Sequence, residues 1–252
     1  MKYTTIITAL IAILSFIAID AVAQETEENV RMEYLLCQLN EGHTFDDVMT
    51  QAREYGEKVA AEGNQYNQYL LRPMITGERL EGVTHIIAGM WPNGEALYSE
   101  YGDYVNKYVD EDMENEAHTC RVVYATMDHV VVDDFMENQT TDQRWPLQLS
   151  DCSLKEGVSM EYAMEVQKEV HQAAVENDMR GYGVHFQEPY LGFEDPDFDF
   201  ISAVWWQSFE HRGNMAMNYY KIAETHGQMM NSVVGCKNDR AYFVEPIFTT
   251  WD

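Results

Sequence analysis

Cys37-x-Leu39-x-Glu41-Gly42-x-Thr44 recurs 115 residues further on as Cys152-x-Leu154-x-Glu156-Gly157-x-Ser159, and Ile86, Ala88 and Trp91 recur at the same offset as Ile201, Ala203 and Trp206. A chain that repeats its cysteine, turn and apolar positions at one fixed spacing is built from two copies of one structural unit. Each copy is long enough to bury a core of its own. The duplication therefore constrains architecture before any single motif is considered.

Within the first copy, Glu33 to Leu39 reads as a strand, and Gly42 breaks the chain ahead of a helix opened by Thr44 with Asp46 and Asp47 in its first turn. Phe45, Val48, Met49, Ala52, Tyr55 and Val59 follow at helical spacing; Met160, Ala163, Met164, Val170 and Ala174 echo them in the second copy. Two strand-like runs come next, Tyr66 to Ile75 and Val83 to Trp91, matched by Gly181 to Leu191 and Phe198 to Trp206. A second helix carries Leu97, Tyr101, Tyr104, Val105 and Tyr108 on one face, mirrored by Ala216, Tyr219, Tyr220 and Ala223, and a last strand starts near Cys120 and Cys236. Strand, helix, strand, strand, helix, strand is the ferredoxin-like βαββαβ order.

Four cysteines allow three pairings. The repeat selects one, because each copy owns an early and a late cysteine: Cys37 with Cys120, and Cys152 with Cys236. The expected fold agrees, since the end of a first strand lies beside the start of an antiparallel fourth. No two cysteines stand within a few positions of each other, so no metal site is expected from them.

Lys2, the apolar run from Ile6 to Ile19 and Ala21-Val22-Ala23 have the layout of a cleaved secretory signal, which places the protein in the periplasm or outside the cell. The expected division is a signal peptide over 1–23, an acidic N-terminal tract over 24–32, one unit over 33–134, a linker over 135–147 and the second unit over 148–252. Sixteen basic against 43 acidic residues give a net charge of −27. That field repels phosphate backbones and anionic lipid, so neither nucleic acid nor, after signal cleavage, a membrane is expected as a partner.

Two tandem ferredoxin-like units in one chain resemble the dimeric α/β-barrel superfamily in its fused form. The resemblance rests on element order and duplication and implies an α+β fold in which two antiparallel sheets face each other as a pseudo-dimeric barrel, with helices outside. Proteins of that superfamily include cofactor-independent monooxygenases, haem-dependent enzymes and lyases, and no catalytic residue of theirs maps onto this chain.

Were the sheets to enclose a cavity, the side of strand three shared by His85, Ile87, Gly89 and Trp91, with its counterpart ending in Trp206, would line it, and Arg72 and His185 would join from the second strands. His85, Trp91, Arg72, His185 and Trp206 are thus the ligand-pocket candidates. The first expectation is a small apolar or aromatic ligand held between the sheets with no cofactor. The alternatives are a cofactor-independent monooxygenase-like enzyme with His85 or His185 as base, and a structural or interaction protein with a filled interior. Glu194 to Asp199 gathers four acids, but it lacks the glycine and the twelfth-position glutamate of a calcium loop and reads as an acidic surface turn.

Overall fold

The computed structural model describes residues 29–77, 80–108, 116–134 and 144–250. The signal segment, the acidic tract up to residue 28 and linker residues 135–143 lie outside the described residues. Element order is β1 (Val30–Leu39), α1 (Phe45–Ala61), β2 (Asn67–Ile75), β3 (His85–Trp91), α2 (Gly94–Asp103), β4 (His118–Asp133), β5 (Trp145–Leu154), α3 (Met160–Val175), β6 (Tyr182–Leu191), β7 (Phe200–Trp206), α4 (Phe209–Asn218), α5 (Ala223–Val233) and β8 (Val234–Phe248). α2 runs on into a wider turn over Tyr104–Tyr108. Both long amphipathic helices start where the sequence places a hydroxyl: Thr44 forms a capping box with Asp47, and Ser159 accepts from the Tyr162 amide.

Eight strands close one antiparallel barrel in the order β1-β3-β2-β8-β5-β7-β6-β4. The first half contributes β4-β1-β3-β2 and the second β8-β5-β7-β6, the same internal order. Closure depends on the length of β4 (16 residues) and β8 (15 residues). β4 pairs with β1 up to Asp128 and with β6 from Ala125 to Asp133; β8 pairs with β5 up to Val244 and with β2 from Ala241 to Phe248. Each last strand thus bridges the halves and leaves no open sheet edge. The disulfides are Cys37–Cys120 and Cys152–Cys236, each across the β1/β4 or β5/β8 ladder, as the repeat predicts.

Alternation divides every strand between two cores. Met32, Tyr34, Leu71, Ile86 and Ala88 meet Trp145, Leu147, Leu149, Ile201, Ala203, Trp205, Tyr242 and Val244 inside the barrel. The opposite sides pack under helices: Cys37, Leu70 and Ile87 with Val48 of α1, Trp91 with Leu97 of α2, and Phe186, Phe200 and Trp206 with α3 and α5.

Three expectations need adjustment. β1 starts at Val30, inside the expected acidic tract, and β5 starts at Trp145, inside the expected linker. The single second helix expected in the second unit is two, because Tyr219–Lys221 form a tight turn and α5 sets off afresh from Ile222. The acidic turn spends carboxylates on the protein itself: Asp197 bonds Lys237 at 2.7 Å and Asp199 accepts from the Leu154 amide at 2.7 Å.

Candidate functional site

A cavity of about 680 Å³ lies between the helix-facing side of the first-half sheet and helices α1 and α2. Its floor is Glu33 and Leu35 of β1, Gln68 of β2, Ile87 and Trp91 of β3, and His118 and Val123 of β4, with Tyr66 entering just before β2. Its roof is Val48, Gln51, Ala52 and Tyr55 of α1, Glu100 and Tyr101 of α2, and Tyr104; Glu54, Lys58 and Glu116 stand at the exposed rim.

Register sets the floor. Glu33, Gly89 and Gln68 form one row across β1, β3 and β2. Gly89 is required there, since a Cβ at that position would stand 2.5 Å from the Tyr66 ring. Its bare backbone lets that ring lie over β3 and stack on Trp91, centroids 4.5 Å apart. Tyr101 also meets Trp91 edge-on, at 5.8 Å, and Tyr55 meets Tyr66 at 6.3 Å. The result is a wall of aromatic rings around two acids.

Glu33 is 8% exposed and Glu100 3%. The hydroxyl of Tyr101 donates to Glu33, and that of Tyr55 to Glu100. Among the described residues neither carboxyl has a cationic partner. Burial raises the Glu33 carboxyl, only partly offset by the Tyr101 hydrogen bond. Burial, with the nearby charges of Glu33 and Asp103, pushes Glu100 up to about 8. One acid that holds its proton at neutral pH therefore sits beside a second, each bridged to a phenol. Two further polar atoms in the lining, Trp91 Nε1 and Gln68 Oε1, are buried without a hydrogen-bond partner among the described residues. The Gln68 amide donates instead to the Tyr66 hydroxyl at 3.0 Å. Both atoms are shielded from water as well as unpaired, a donor and an acceptor left unsatisfied in residues of the cavity lining.

Of the five candidates expected from sequence, Trp91 alone lines this cavity. His85 is wholly buried behind it, its Nδ1 2.9 Å from the Thr84 hydroxyl and its Nε2 2.7 Å from Nδ1 of His118, the imidazole that does reach the lining. Burial first, then His118 and Arg72, lowers His85 to about 3, so it stays neutral and is sealed from solvent. Among the described residues Cys37, His85 and His118 are the group whose metal-ligating atoms lie close together, but the Cys37 sulfur is committed to Cys120. Arg72 lies on the same sheet face beyond the cavity, its guanidinium 4.1 Å from the Phe45 ring centre and 3.3 Å from Glu245.

The other two candidates lie elsewhere. Trp206 is under α4 in the second half, with Nε1 donating to the Met215 sulfur and Arg212 over its ring. His185 is on the barrel's inner side, 2.8 Å from buried Asp128. Burial pulls its imidazole down, and the Asp128 charge and hydrogen bond more than reverse this. The expectation that both tryptophans line a cavity between the sheets is therefore corrected: they do share the equivalent side of their strands, and that side faces helices. In the second half the corresponding space is occupied by Ile222, Met229, Met230 and Val233.

Sequence reading missed Glu33, Gln68, Glu100, Tyr101 and His118. A signal existed for the first, an acid inside the strand Met32-Glu33-Tyr34-Leu35-Leu36, and for Tyr101 within the tyrosine stripe of α2.

No protein-family model matches the chain, and no curated protein matches it in sequence. Solved structures do match in shape. A "putative monooxygenase" from Lactobacillus acidophilus NCFM shares 12% identity at a TM-score of 0.53, over 88% of this chain and 96% of that one. A chlorite dismutase from Candidatus Nitrospira defluvii, in complex with imidazole, shares 11% identity at a TM-score of 0.50, over 88% and 93%. The likeness is one of fold: this chain has the closed antiparallel barrel of the dimeric α/β-barrel proteins.

Proposed function

We propose that the protein binds a small aromatic or apolar molecule carrying a polar group, in the helix-side cavity of its first half rather than between its sheets. The observation that carries this reading is a cavity of about 680 Å³ whose lining sets aromatic rings around two buried acids, Glu33 and Glu100. The lining suits a flat ligand: Trp91, Tyr66, Tyr55 and Tyr101 supply ring faces and edges, and Leu35, Val48 and Ile87 supply aliphatic contact. Haem, which some proteins of this fold use, suits it poorly. Its acids outnumber its single lysine, so two propionates would find little compensation there.

Saturation-transfer NMR with 2-phenylethanol tests the site. Signal is expected with the native protein and lost with Ala52→Phe, which puts a ring into the cavity from α1. Absence of signal, or binding unaltered by Ala52→Phe, would refute it.

A second reading, an enzyme acting without a bound cofactor, draws support from the acid pair and from the neighbour described as a monooxygenase. In it Glu100 holds a proton for delivery at neutral pH and Glu33 receives one, a role that sealed His85 and remote His185 are badly placed to fill. Oxygen uptake or turnover lost in Glu100→Gln with binding retained would favour it.

We read each half as a ferredoxin-like unit descended from one ancestor, in keeping with the shared strand order, and the chain as exported. Two disulfides support an oxidising compartment. No helix of the described residues is long and apolar enough to cross a membrane. Amino-terminal sequencing that reads Gln24 first would agree; an intact Met1 would not.

A further inference from the structure

We propose that the ligand of the first-half cavity is a protonated amine on an aromatic or apolar body. The proposal rests on the cavity reading above and narrows it to one charge class. Glu33 and Glu100 are both buried, are held only by the hydroxyls of Tyr101 and Tyr55, and among the described residues lack the cation that buried carboxylates ordinarily require. The half-buried rings beside them, Tyr55 and Tyr101, carry negative π faces that attract an ammonium group, an attraction that strengthens where water is excluded.

The two unpartnered atoms fit the same ligand. Gln68 Oε1 as an acceptor and Trp91 Nε1 as a donor, both shielded from water, would come within reach of it on a small shift of their side chains. An anion would meet Glu33 and Glu100 without compensation, and a purely apolar molecule would leave both orphan atoms unsatisfied. The other charged or titratable groups of the lining do not change this balance. Glu54 and Lys58 of α1 and Glu116 stand at the exposed rim, and His118, lowered by burial, is neutral. Asp103 adds negative charge near Glu100. A net charge of −27 further concentrates cations around the molecule.

Protonation follows from the same geometry. The carboxyl that keeps its proton in the empty cavity would give it up to pair with an incoming ammonium. Amine binding should therefore release protons and tighten as pH rises from 6 to 8.

Calorimetric titration with 2-phenylethylamine, 2-phenylethanol and 3-phenylpropionate separates the charge classes on one scaffold. The amine is expected to bind at least about ten-fold more tightly than the alcohol, the size of a desolvated cation–π and ion-pair contribution, and the carboxylate most weakly. The amine's heat should depend on the buffer's ionisation enthalpy. Glu33→Gln with Glu100→Gln should erase the amine's advantage over the alcohol, the variant's thermal melt confirming that it is folded. Should it not fold, the native protein's preference among the three probes decides alone.

Equal affinity for amine and alcohol would overturn the cation while leaving the cavity reading in place. Failure of all three probes to bind would overturn both.

Discussion

Glu100→Gln should stabilise the protein, and by an amount that grows with pH. Glu100 is 3% exposed and its carboxyl pKa rises from 4.5 to about 8 on folding, because burial and then the charges of Glu33 and Asp103 disfavour its ionised form. Below pH 4.5 folded and unfolded chains both hold the proton, and the group has no effect on stability. As pH rises toward 8 the unfolded chain releases the proton and the folded chain retains it, so stability is lost through that window. Above pH 8 both states are ionised and the deficit is constant. At about 1.4 kcal/mol per pKa unit the full deficit is ~5 kcal/mol, and at pH 7 it is roughly 3 kcal/mol.

Glutamine keeps the shape and an acceptor for the Tyr55 hydroxyl and abolishes the titration. Urea unfolding of native protein and variant from pH 4 to pH 9 reads the difference, and the large net charge of the rest of the chain cancels between them. The expected result is a difference that climbs with pH and levels off above pH 8. Any fixed offset from altered packing shifts the curve without changing its slope. A difference independent of pH would show that Glu100 is not held protonated by its surroundings, and would remove the acid pair from the site.

Gly89→Ala places a methyl 2.5 Å from the Tyr66 ring and should cost about 1–3 kcal/mol in urea unfolding, and distinctly less when made in a Tyr66→Leu background; an unaltered midpoint would mean that the Tyr66–Trp91 stack does not depend on the bare backbone. Each disulfide closes a loop across 83 or 84 residues of sequence, so replacing either cysteine pair by alanines should cost at most about 4–5 kcal/mol, and the two losses should be similar, as thermal melts of the two variants would test.

Much of the fold was legible because the chain states it twice. The offset between Cys37 and Cys152 predicted a pairing that the β1/β4 and β5/β8 ladders require, and the order of strand and helix signals predicted which elements the barrel would contain. The parity of β3 was also correct: His85, Ile87, Gly89 and Trp91 share one side. What that side faces was not legible. In a closed barrel covered by helices both sides of a strand are buried, so the apolar and polar alternation that reveals a half-exposed strand is absent. Ile86 and Ala88, which face the barrel interior, are as apolar as Ile87 and Trp91, which face the helices.

The candidate site was hidden for a related reason. It assembles Glu33 from β1, Gln68 from β2, Trp91 from β3, His118 from β4 and Glu100 from α2, positions too far apart in the chain to form a motif. Taken singly, an acid in a strand or a tyrosine on a helix is unremarkable. Sequence by itself determined the duplication, the disulfides, the order of elements and the acidic surface, because each is written in local pattern or in a fixed offset. Only the tertiary structure decided which side of the sheet holds a cavity, and that two carboxyls share it without a cation, because burial and proximity are properties of the packed chain and of no one segment.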